Sequence, residues 1–305
     1  MALKIIFMGT PSFAVPILES ILNSHHHLLA VYTQNPKKSD RGQKIKISPI
    51  HYFAKEKKIE VRSPQNLDKE EMMFIQNLNP DIIVVVAYGK IIPPEYLKIK
   101  NVKFINIHAS LLPKRRGAAP IQRSLMEMDE ETGISIMKII QKLDAGPLIL
   151  QEKIKIKKND NYHSLSAKLA NLGSRLIIKS LNLLETNNFK LIDQDETKAT
   201  YANKIDKKEA KIDWNIPAKK LIAKINGLSP FPGAWFEHKK TRIKILEAAE
   251  VEQTGETGEI LDDNLTIACK EKAIQVLSVQ KEGKKILKTK EFLSGYSVRK
   301  GEKLF

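Results

Sequence analysis

Buried-strand patterns alternate with amphipathic helix patterns through the first half of the chain. The strand candidates are short, continuous apolar runs, which are typical of strands covered on both faces. They lie at residues 5–8, 28–33, 59–62, 81–87, 103–108 and 134–140. Helical spacing of apolar residues predicts one helix over 11–22 and a long amphipathic helix over 164–184. This alternation predicts an α/β fold: a mostly parallel sheet with helices on both faces.

The pattern changes after a polar stretch at 187–200, which is typical of a linker. One helix is predicted at 217–226, where Pro217 suits an early helical position. Short strand candidates then follow at regular spacing, at 234–237, 242–248, 258–261, 265–268 and 273–279. That spacing predicts a small antiparallel barrel or sandwich. We therefore divide the chain into a domain at 1–189, a linker at 190–205 and a second domain at 206–305.

Composition sets the broad class of protein. A chain of 305 residues suits two domains, and it holds no apolar stretch near the ~20 residues of a membrane span. The start of the chain has no signal-peptide pattern, and the single Cys269 excludes an internal disulfide or a multi-cysteine metal site. Together these features predict a cytoplasmic protein.

The net charge of +16 has two interpretations. A field of that sign attracts phosphate-rich partners such as nucleic acids. Lysine greatly outnumbers arginine, 43 to 8, so a compositional bias explains the charge equally well. The positions of the charges must decide between the two.

Three polar side chains suggest a catalytic site. Asn106 and His108 are two positions apart at the end of a predicted strand, so both point to one side. Asp144 lies in a predicted turn just after the next strand. An amide and an imidazole can stabilise the oxygen of a reacting carbonyl, and a carboxylate can orient the imidazole and accept a proton from an amine. These residues therefore suit acyl transfer to an amine, which needs no metal.

The same residues have a structural interpretation. Backbone hydrogen bonds often satisfy Asn and His at the end of a strand, and Asp before Ala-Gly-Pro is often a turn former. From spacing alone, the structural interpretation is slightly favoured.

Longer motifs change that balance. The segments NIHASLLPKRRGAAPIQ at 106–122, LDAGP at 143–147, FMGTPSFAVP at 7–16 and AYGKIIP at 87–93 resemble the folate-dependent formyltransferase family. The second half adds EAKIDW at 209–214 and PFPGAW at 230–235, so the resemblance covers nearly the whole chain. It is densest from 106 to 147.

The resemblance implies a fold and an activity. The fold is a Rossmann-like formyltransferase domain followed by an OB-like barrel domain. The activity is transfer of a formyl group from 10-formyltetrahydrofolate to the α-amino group of methionine on initiator tRNA, without a metal and by a monomer. Asn106, His108 and Asp144 would be catalytic. The residues expected at the folate site are Ser110, Leu111, Leu112, Pro113, Tyr88 and Gly89.

A basic segment at 35–46 is predicted to be an exposed, mobile loop beside the carboxyl edge of the sheet. It holds five basic residues and one acidic residue. In a lysine-rich protein such a segment is commonly a solvated surface loop. In the resembled family it recognises initiator tRNA, and Arg41 is the matching residue, with Lys37, Lys38 and Lys44 as further candidate contacts. Arginine can contact a base edge or a phosphate with two hydrogen bonds, which lysine cannot do.

Two alternatives remain open. The first is the same chemistry on a small amine, such as glycinamide ribonucleotide or an amino-sugar nucleotide. The basic loop and the basic second half argue against it, because a small substrate needs neither. The second alternative is a tRNA-binding module without catalysis, and the intact Asn106, His108 and Asp144 argue against that.

Overall fold

A seven-stranded mixed sheet organises the N-terminal half of the protein. The computed structural model describes residues 1–39 and 44–304. In this sheet the strands run in the order β5-β2-β1-β6-β7-β8-β9. The strands, in chain order, are β1 (Lys4–Gly9), β2 (His27–Tyr32), β5 (Val61–Arg62), β6 (Ile82–Val86), β7 (Lys103–His108), β8 (Glu131–Lys138) and β9 (Leu148–Lys155). The predicted α/β sheet is therefore confirmed, and β9 is a strand that the sequence pattern did not predict.

Parallel pairing brings several strand ends to one edge of this sheet. β1 pairs in parallel with β2 and β6, and β6 with β7, whereas β7 and β8 are antiparallel. Every side chain of β6 is buried, as its run of Ile and Val predicts. The carboxyl ends of β1, β6 and β7 consequently lie side by side, where open α/β sheets bind their ligands.

Helices accompany both halves of the chain. The long predicted helix over 164–184 is confirmed as the 24-residue α5. The helices are α1 (Val15–Leu22), α2 (Pro49–Glu56), α3 (Lys69–Leu78), α4 (Pro120–Met126), α5 (Tyr162–Glu185), α6 (Ala218–Leu228) and α7 (Thr289–Gly295). None of the helices in the described part of the chain combines the length and apolarity needed to cross a bilayer.

The C-terminal half contains a five-stranded antiparallel sheet. Its order is β10-β11-β13-β12, with β14 pairing along β13. Its strands are β10 (Ala234–His238), β11 (Thr241–Val251), β12 (Thr266–Ala268), β13 (Ala273–Lys281) and β14 (Ile286–Lys288). The register between β11 and β13 shifts near Glu247, and such irregularities bend a strand and increase its twist.

The prediction of a strand at 258–261 is wrong, because no continuous strand forms there. Residues there form isolated bridges on two sides. Ile260 donates its N–H to the carbonyl of Glu302 and accepts from the N–H of Gly301, while Leu261 donates to the carbonyl of Thr266 in β12. Gly258 has φ +81°, and a Cβ there would lie 2.5 Å from the carbonyl oxygen of Leu304. The segment thus lies between β12 and the end of the chain, and it pairs with each through single bridges rather than a continuous ladder.

The basic segment at 35–46 also differs from expectation. Its described parts, β3 (Lys37–Ser39) and β4 (Lys44–Lys46), pair antiparallel, where the sequence predicted a loop. Strands of three residues are too short to produce a legible alternation of apolar and polar positions. Arg41 lies outside the described residues.

The fold groups into two compact units that interleave along the sequence. One comprises 1–117, 133–154 and 166–201, and the other comprises 118–132, 155–165 and 202–305. The second unit has its own core, in which Trp214, Leu221 and Ile225 pack with Ile243 and Ile267. Residues 118–132 and 155–165 therefore belong with the C-terminal sheet by contact, although they precede it in sequence.

A charged network in the first unit joins β2, β5 and α3. Glu71 is almost buried and accepts two hydrogen bonds from the Arg62 guanidinium, at 2.7 and 2.8 Å. The Tyr32 hydroxyl donates to the same carboxylate at 2.8 Å. These hydrogen bonds, first of all those from Arg62, lower the pKa of Glu71 below its ordinary value despite the cost of burial.

We expect Glu71→Gln to lower the free energy of unfolding at pH 7 by about 2–3 kcal/mol. That is below the 3–5 kcal/mol typical of breaking a fully buried pair, because Arg62 is partly exposed. The folded-state pKa of Glu71 lies below its unfolded value of about 4.3, so the ionised group stabilises the fold fully above that pH and loses this effect as pH falls through the folded pKa. The gap between wild type and variant in urea unfolding should therefore shrink below about pH 4.5.

The neighbouring Glu70→Gln is the matched control, because Glu70 is exposed. The Glu70→Gln variant should have almost the same unfolding midpoint as wild type at pH 7 and at pH 3. A Glu71→Gln gap that stays constant from pH 7 to pH 3 would contradict the proposed contribution of the charge.

Candidate active site

Strand β7 carries Asn106 and His108 to the carboxyl edge of the sheet. The strand ends at His108, as the sequence predicted. Asn106 pairs with Val85 of β6 on one side and with Met137 of β8 on the other. Two neighbouring strands therefore fix the position of Asn106, and the period of two places His108 on the same face.

Asp144 lies on the turn that joins β8 to β9. Its φ of +47° is in the left-handed region, which a residue with a side chain adopts only when its surroundings hold it there. Two residues later, a Cβ on Gly146 would lie 1.8 Å from the carbonyl oxygen of Lys138. Only glycine allows this approach, so the turn returns closely against β8 and fixes where Asp144 lies.

The structure brings the three predicted catalytic residues together. The Asn106 amide donates to Asp144 Oδ1 at 3.4 Å, and His108 Nδ1 lies 3.7 Å from Asp144 Oδ2. The side chains of His108 and Asp144 are 6% and 11% exposed. Charges interact more strongly in such a poorly hydrated place than in water.

Backbone groups of the loop after β7 hold the imidazole and the carboxylate. His108 Nε2 lies 2.9 Å from the carbonyl oxygen of Arg115, and a carbonyl can only accept, so Nε2 carries a proton. Nδ1 is then the nitrogen that faces Asp144. The N–H of Gly117 donates to Asp144 Oδ2 at 2.8 Å. This hydrogen bond ties the carboxylate to the backbone of the loop.

Four of the six residues predicted at the folate site, those at 110–113, divide into two pairs. Ser110 and Leu112 are buried, and the Ser110 hydroxyl donates to the carbonyl of Lys114 at 2.7 Å. The side chain of Leu112 packs with Met137 and Leu148. Leu111 and Pro113 are partly exposed. The first pair thus shapes the loop, and the second pair is available for contact.

Ser135 and Gln151, which the sequence did not single out, brace the same loop. The Ser135 hydroxyl donates to the carbonyl of Ser110 at 2.6 Å and accepts from the N–H of Leu112 at 3.1 Å. Gln151 donates to the carbonyl of Leu112 at 2.9 Å. Both residues belong to strands whose partners are set by the fold, so no local sequence signal marks them.

Tyr88 and Gly89 follow β6 at the same edge of the sheet. The Tyr88 side chain is buried in the core of the first unit, and burial raises the pKa of its hydroxyl to about 12. Its carbonyl accepts from Thr10 at 2.8 Å and from Gln34 at 3.1 Å. Gly89 is exposed with φ +78°. Of these two residues, the exposed backbone at Gly89 is the part available to a ligand.

Exposed apolar side chains border the Asp144 turn. Ile140 is 38% exposed and Leu143 is 63% exposed. Flat aromatic ligands bind against such apolar surfaces, with a few polar groups fixing their orientation. The turn therefore combines a carboxylate with an apolar border.

The predicted tRNA contacts are only partly described. The backbones of Lys37, Lys38 and Lys44 lie on β3 and β4, and Arg41 falls outside the described residues.

A group of possible metal ligands lies where β2 begins, at the other edge of the sheet. Ligand atoms of His25, His26 and Glu185 lie within 4.8 Å of one another. The Nδ1 of His26 accepts from the N–H of Leu3 at 3.3 Å. In the neutral ring Nε2 then carries the proton and offers no lone pair. The group therefore gives no support to a metal site there, and His26 is buried.

Sequence reasoning missed the side chains that hold the loop around Arg116. Arg116 is buried and hydrogen-bonds Gln194 and Glu196. Those two residues lie in the polar stretch that the sequence predicted to be a linker. The stretch instead forms a bridge at Ile192 with Leu148 and a 3-10 turn at Glu196–Lys198. Its polar composition suggested solvation, whereas Gln194 and Glu196 serve as partners for a buried charge.

The fold and the site together define a class of protein. It is an α/β protein whose sheet edge holds an amide, an imidazole and a carboxylate beside an apolar border, an arrangement suited to acyl transfer onto an amine. Residues 3–181 match the family model described as Formyl transferase, and residues 204–297 match the one described as Formyl transferase, C-terminal domain. The chain belongs to the formyl transferase family.

Curated relatives extend over the full chain. A protein of Pelagibacter ubique named methionyl-tRNA formyltransferase is 49% identical and covers 100% of this chain and 99% of its own. A protein of Parvibaculum lavamentivorans with the same name is 42% identical, with 98% and 99% covered. The family resemblance drawn from the sequence motifs is confirmed.

Solved structures share the fold at lower identity. HypX from Aquifex aeolicus in complex with tetrahydrofolic acid superposes with a TM-score of 0.65 at 16% identity, over 96% of this chain and 47% of that chain. This chain thus spans about half the length of HypX. An N-formyltransferase from Helicobacter canadensis, in complex with folinic acid and dTDP-3-aminofucose, gives 0.69 at 22% identity, over 92% and 100% of the two chains. At these identities the likeness concerns the fold.

Proposed function

We propose that the protein transfers the formyl group of 10-formyltetrahydrofolate to the α-amino group of methionine on initiator tRNA. The observation that carries the reaction is the convergence of Asn106, His108 and Asp144 at one edge of the sheet. The acceptor is supported by relatives 41–49% identical over almost their whole length, all named methionyl-tRNA formyltransferase. The proposed setting is the cytoplasm, where translation takes place.

The residues divide the work of acyl transfer. The co-substrate supplies a formyl carbon bound to nitrogen. As the methionine amine bonds to this carbon, charge develops on the formyl oxygen, and the Asn106 amide is the donor placed to stabilise it. Asp144 and His108 accept the proton that the amine loses and deliver a proton to the departing folate nitrogen, so no net proton is gained or lost. The amine, with a pKa of about 7.7–8.0 in peptides, needs little further activation.

The folate would be held by the first unit. Leu111, Pro113 and Gly89 are the proposed contacts among the six predicted residues, because they are at least partly exposed. Ser110, Leu112 and Tyr88 support them from the interior. Ile140 and Leu143 add apolar surface for the pteridine ring.

The C-terminal sheet would serve as an OB-like platform for the tRNA backbone. Five antiparallel strands and the bend in β11 are consistent with a small barrel. We keep the functional division at 1–189 for catalysis, 190–205 for the connection and 206–305 for tRNA binding. All three catalytic residues come from one unit of one chain, which supports action as a monomer.

A panel of acceptors tests the proposal. Purified protein and labelled formylated folate are offered methionyl initiator tRNA, glycinamide ribonucleotide and an amino-sugar nucleotide in parallel. We expect label on the tRNA alone. Label only on a small amine would assign the same chemistry to a different substrate, and label on none would leave a binding function.

We expect Asp144→Asn to lower kcat at least about 100-fold, since acid–base groups contribute 10²–10⁴. Asparagine keeps the shape of the side chain and removes its charge. The Kd for methionyl-tRNA, measured by filter binding, should stay within about three-fold because Asp144 acts on bond-making. Glu19→Gln, at an exposed carboxylate on α1 of the first unit, is the matched control. A loss of tRNA affinity as large as the loss of kcat would refute the catalytic role.

We expect Arg41→Ala to reduce discrimination between initiator and elongator tRNA. Loss of one bidentate contact costs about 1–3 kcal/mol, which corresponds to a change of about five- to 150-fold in the ratio of kcat/KM for the two tRNAs. Arg175→Ala on α5 is the control, because Arg175 is largely exposed and forms only a long contact to Glu152. An unchanged ratio in the Arg41 variant would remove this residue from tRNA selection.

A further inference from the structure

Arg116 carries a charge in the interior of the first unit. Its side chain is fully buried, and its guanidinium makes two hydrogen bonds to Glu196, at 3.0 and 2.9 Å. Two further hydrogen bonds, at 3.1 and 2.8 Å, reach the amide oxygen of Gln194. A buried guanidinium without partners costs several kcal/mol, so the fold must supply these acceptors. The Arg116 guanidinium and the Lys142 ammonium lower the pKa of Glu196 to about 2.

Gln194 connects the buried Arg116 to the Asp144 turn. Its amide nitrogen donates to the carbonyl of Asp144 at 2.9 Å and to the carbonyl of Gly146 at 2.7 Å. The amide oxygen faces donors only, so the orientation of the amide is fixed by chemistry. The Gln194 side chain therefore hydrogen-bonds the backbone of the turn on both sides of Ala145.

The residues beside Arg116 hold the same site through their backbones. The carbonyl of Arg115 accepts from His108, and the N–H of Gly117 donates to the Asp144 carboxylate. Arg115 and Asp144 both have left-handed φ values, +64° and +47°. Conformations of this kind cost free energy and persist where the surroundings impose them.

We propose that Gln194 is a positioning residue for the formyl transfer. It touches no reacting atom, and it sets the Asp144 carboxylate by fixing the backbone of the turn while Arg116 fixes Gln194. The inference rests on the proposed function, because the placement of Asp144 matters to turnover only if Asp144 works in the reaction. Gln194 lies in a stretch whose composition is that of a linker, yet its role belongs to the active site.

A merely structural role differs in a measurable way. If Gln194 only holds the stretch at 192–198 against the rest of the unit, then its hydrogen bonds with Arg116 are sufficient for activity. Gln194→Glu keeps an oxygen for Arg116 but removes both N–H donors to the carbonyls of Asp144 and Gly146. Gln194→Ala removes both kinds of contact. The pair of variants therefore separates fastening from positioning.

The experiment measures formylation of methionyl initiator tRNA by wild type, Gln194→Glu, Gln194→Ala and Gln76→Ala. Gln76 is an exposed residue on α3, which makes it a matched control. We expect kcat to fall about 10- to 100-fold in both Gln194 variants, since a displacement of about 1 Å at a reacting group can cost 10²-fold. KM for tRNA and for the folate should stay within about two-fold, and Gln194→Glu should keep the far-UV circular dichroism and thermal midpoint of wild type.

Four results would overturn the inference. One is a kcat of Gln194→Glu within two-fold of an active wild type. Another is a loss that appears in KM rather than kcat, or a loss of the folded state in both variants, since either assigns binding or structure to Gln194. The last is a wild type that formylates no methionyl-tRNA, which would refute the proposed function and this inference with it. The activity of wild type thus distinguishes the two failures.

Discussion

The active site depends on the burial of one guanidinium. Arg116 is fully buried, and a charge there is tolerated only with a complete set of acceptors. Glu196 and Gln194 provide them, and Gln194 in turn donates to the turn that carries Asp144. The loop after β7 and the turn after β8 are thereby tied to a third segment, so the spacing of Asn106, His108 and Asp144 does not depend on the strands alone.

This arrangement suits a reaction with little inherent need for covalent assistance. An amine that attacks a formyl group requires placement and charge stabilisation more than it requires a strong base. The strands supply the coarse positions of Asn106 and His108. The carbonyl of Arg115 then fixes the imidazole of His108, and the N–H of Gly117 and the side-chain amide of Gln194 fix Asp144 and its turn.

Sequence patterns predicted the parts of the fold whose signal is local. The strand at 103–108 was predicted to the residue, since its apolar run ends at the polar residues that the site needs. The amphipathic α3 and the strand β9 were not predicted: α3 is short and strongly charged, and β9 is exposed along most of its length. Their positions follow from tertiary partners, which a local pattern does not contain.

The candidate site likewise contains residues that the sequence predicts and one that it does not. Asn106, His108 and Asp144 belong to motifs that can be recognised in the chain, and the structure places them together. Gln194 lies 50 residues from the Asp144 turn, in a stretch of polar residues. Nothing in that composition distinguishes a solvated linker from a segment that satisfies a buried charge, because the difference lies in the partner.

The positions of the arginines say more about the role of charge in this protein than its net charge does. Only 8 of the 51 basic residues are arginine, so lysine supplies most of the positive charge. Three of the arginines, Arg62, Arg116 and Arg123, make two hydrogen bonds to the carboxylates of Glu71, Glu196 and Glu209. Lysines in ion pairs such as Lys142–Glu196 and Lys288–Glu247 are instead more than half exposed.

This contrast bears on the basic segment at 35–46. A chain that uses lysine by default uses arginine at these sites for its planar, two-pronged geometry. Arg41 is the single arginine among the five basic residues of that segment. A segment that only attracted phosphate by charge would need no arginine, since lysine provides the same field. The proposal that Arg41 makes a directed contact to a base edge or a phosphate rests on this difference between the two side chains.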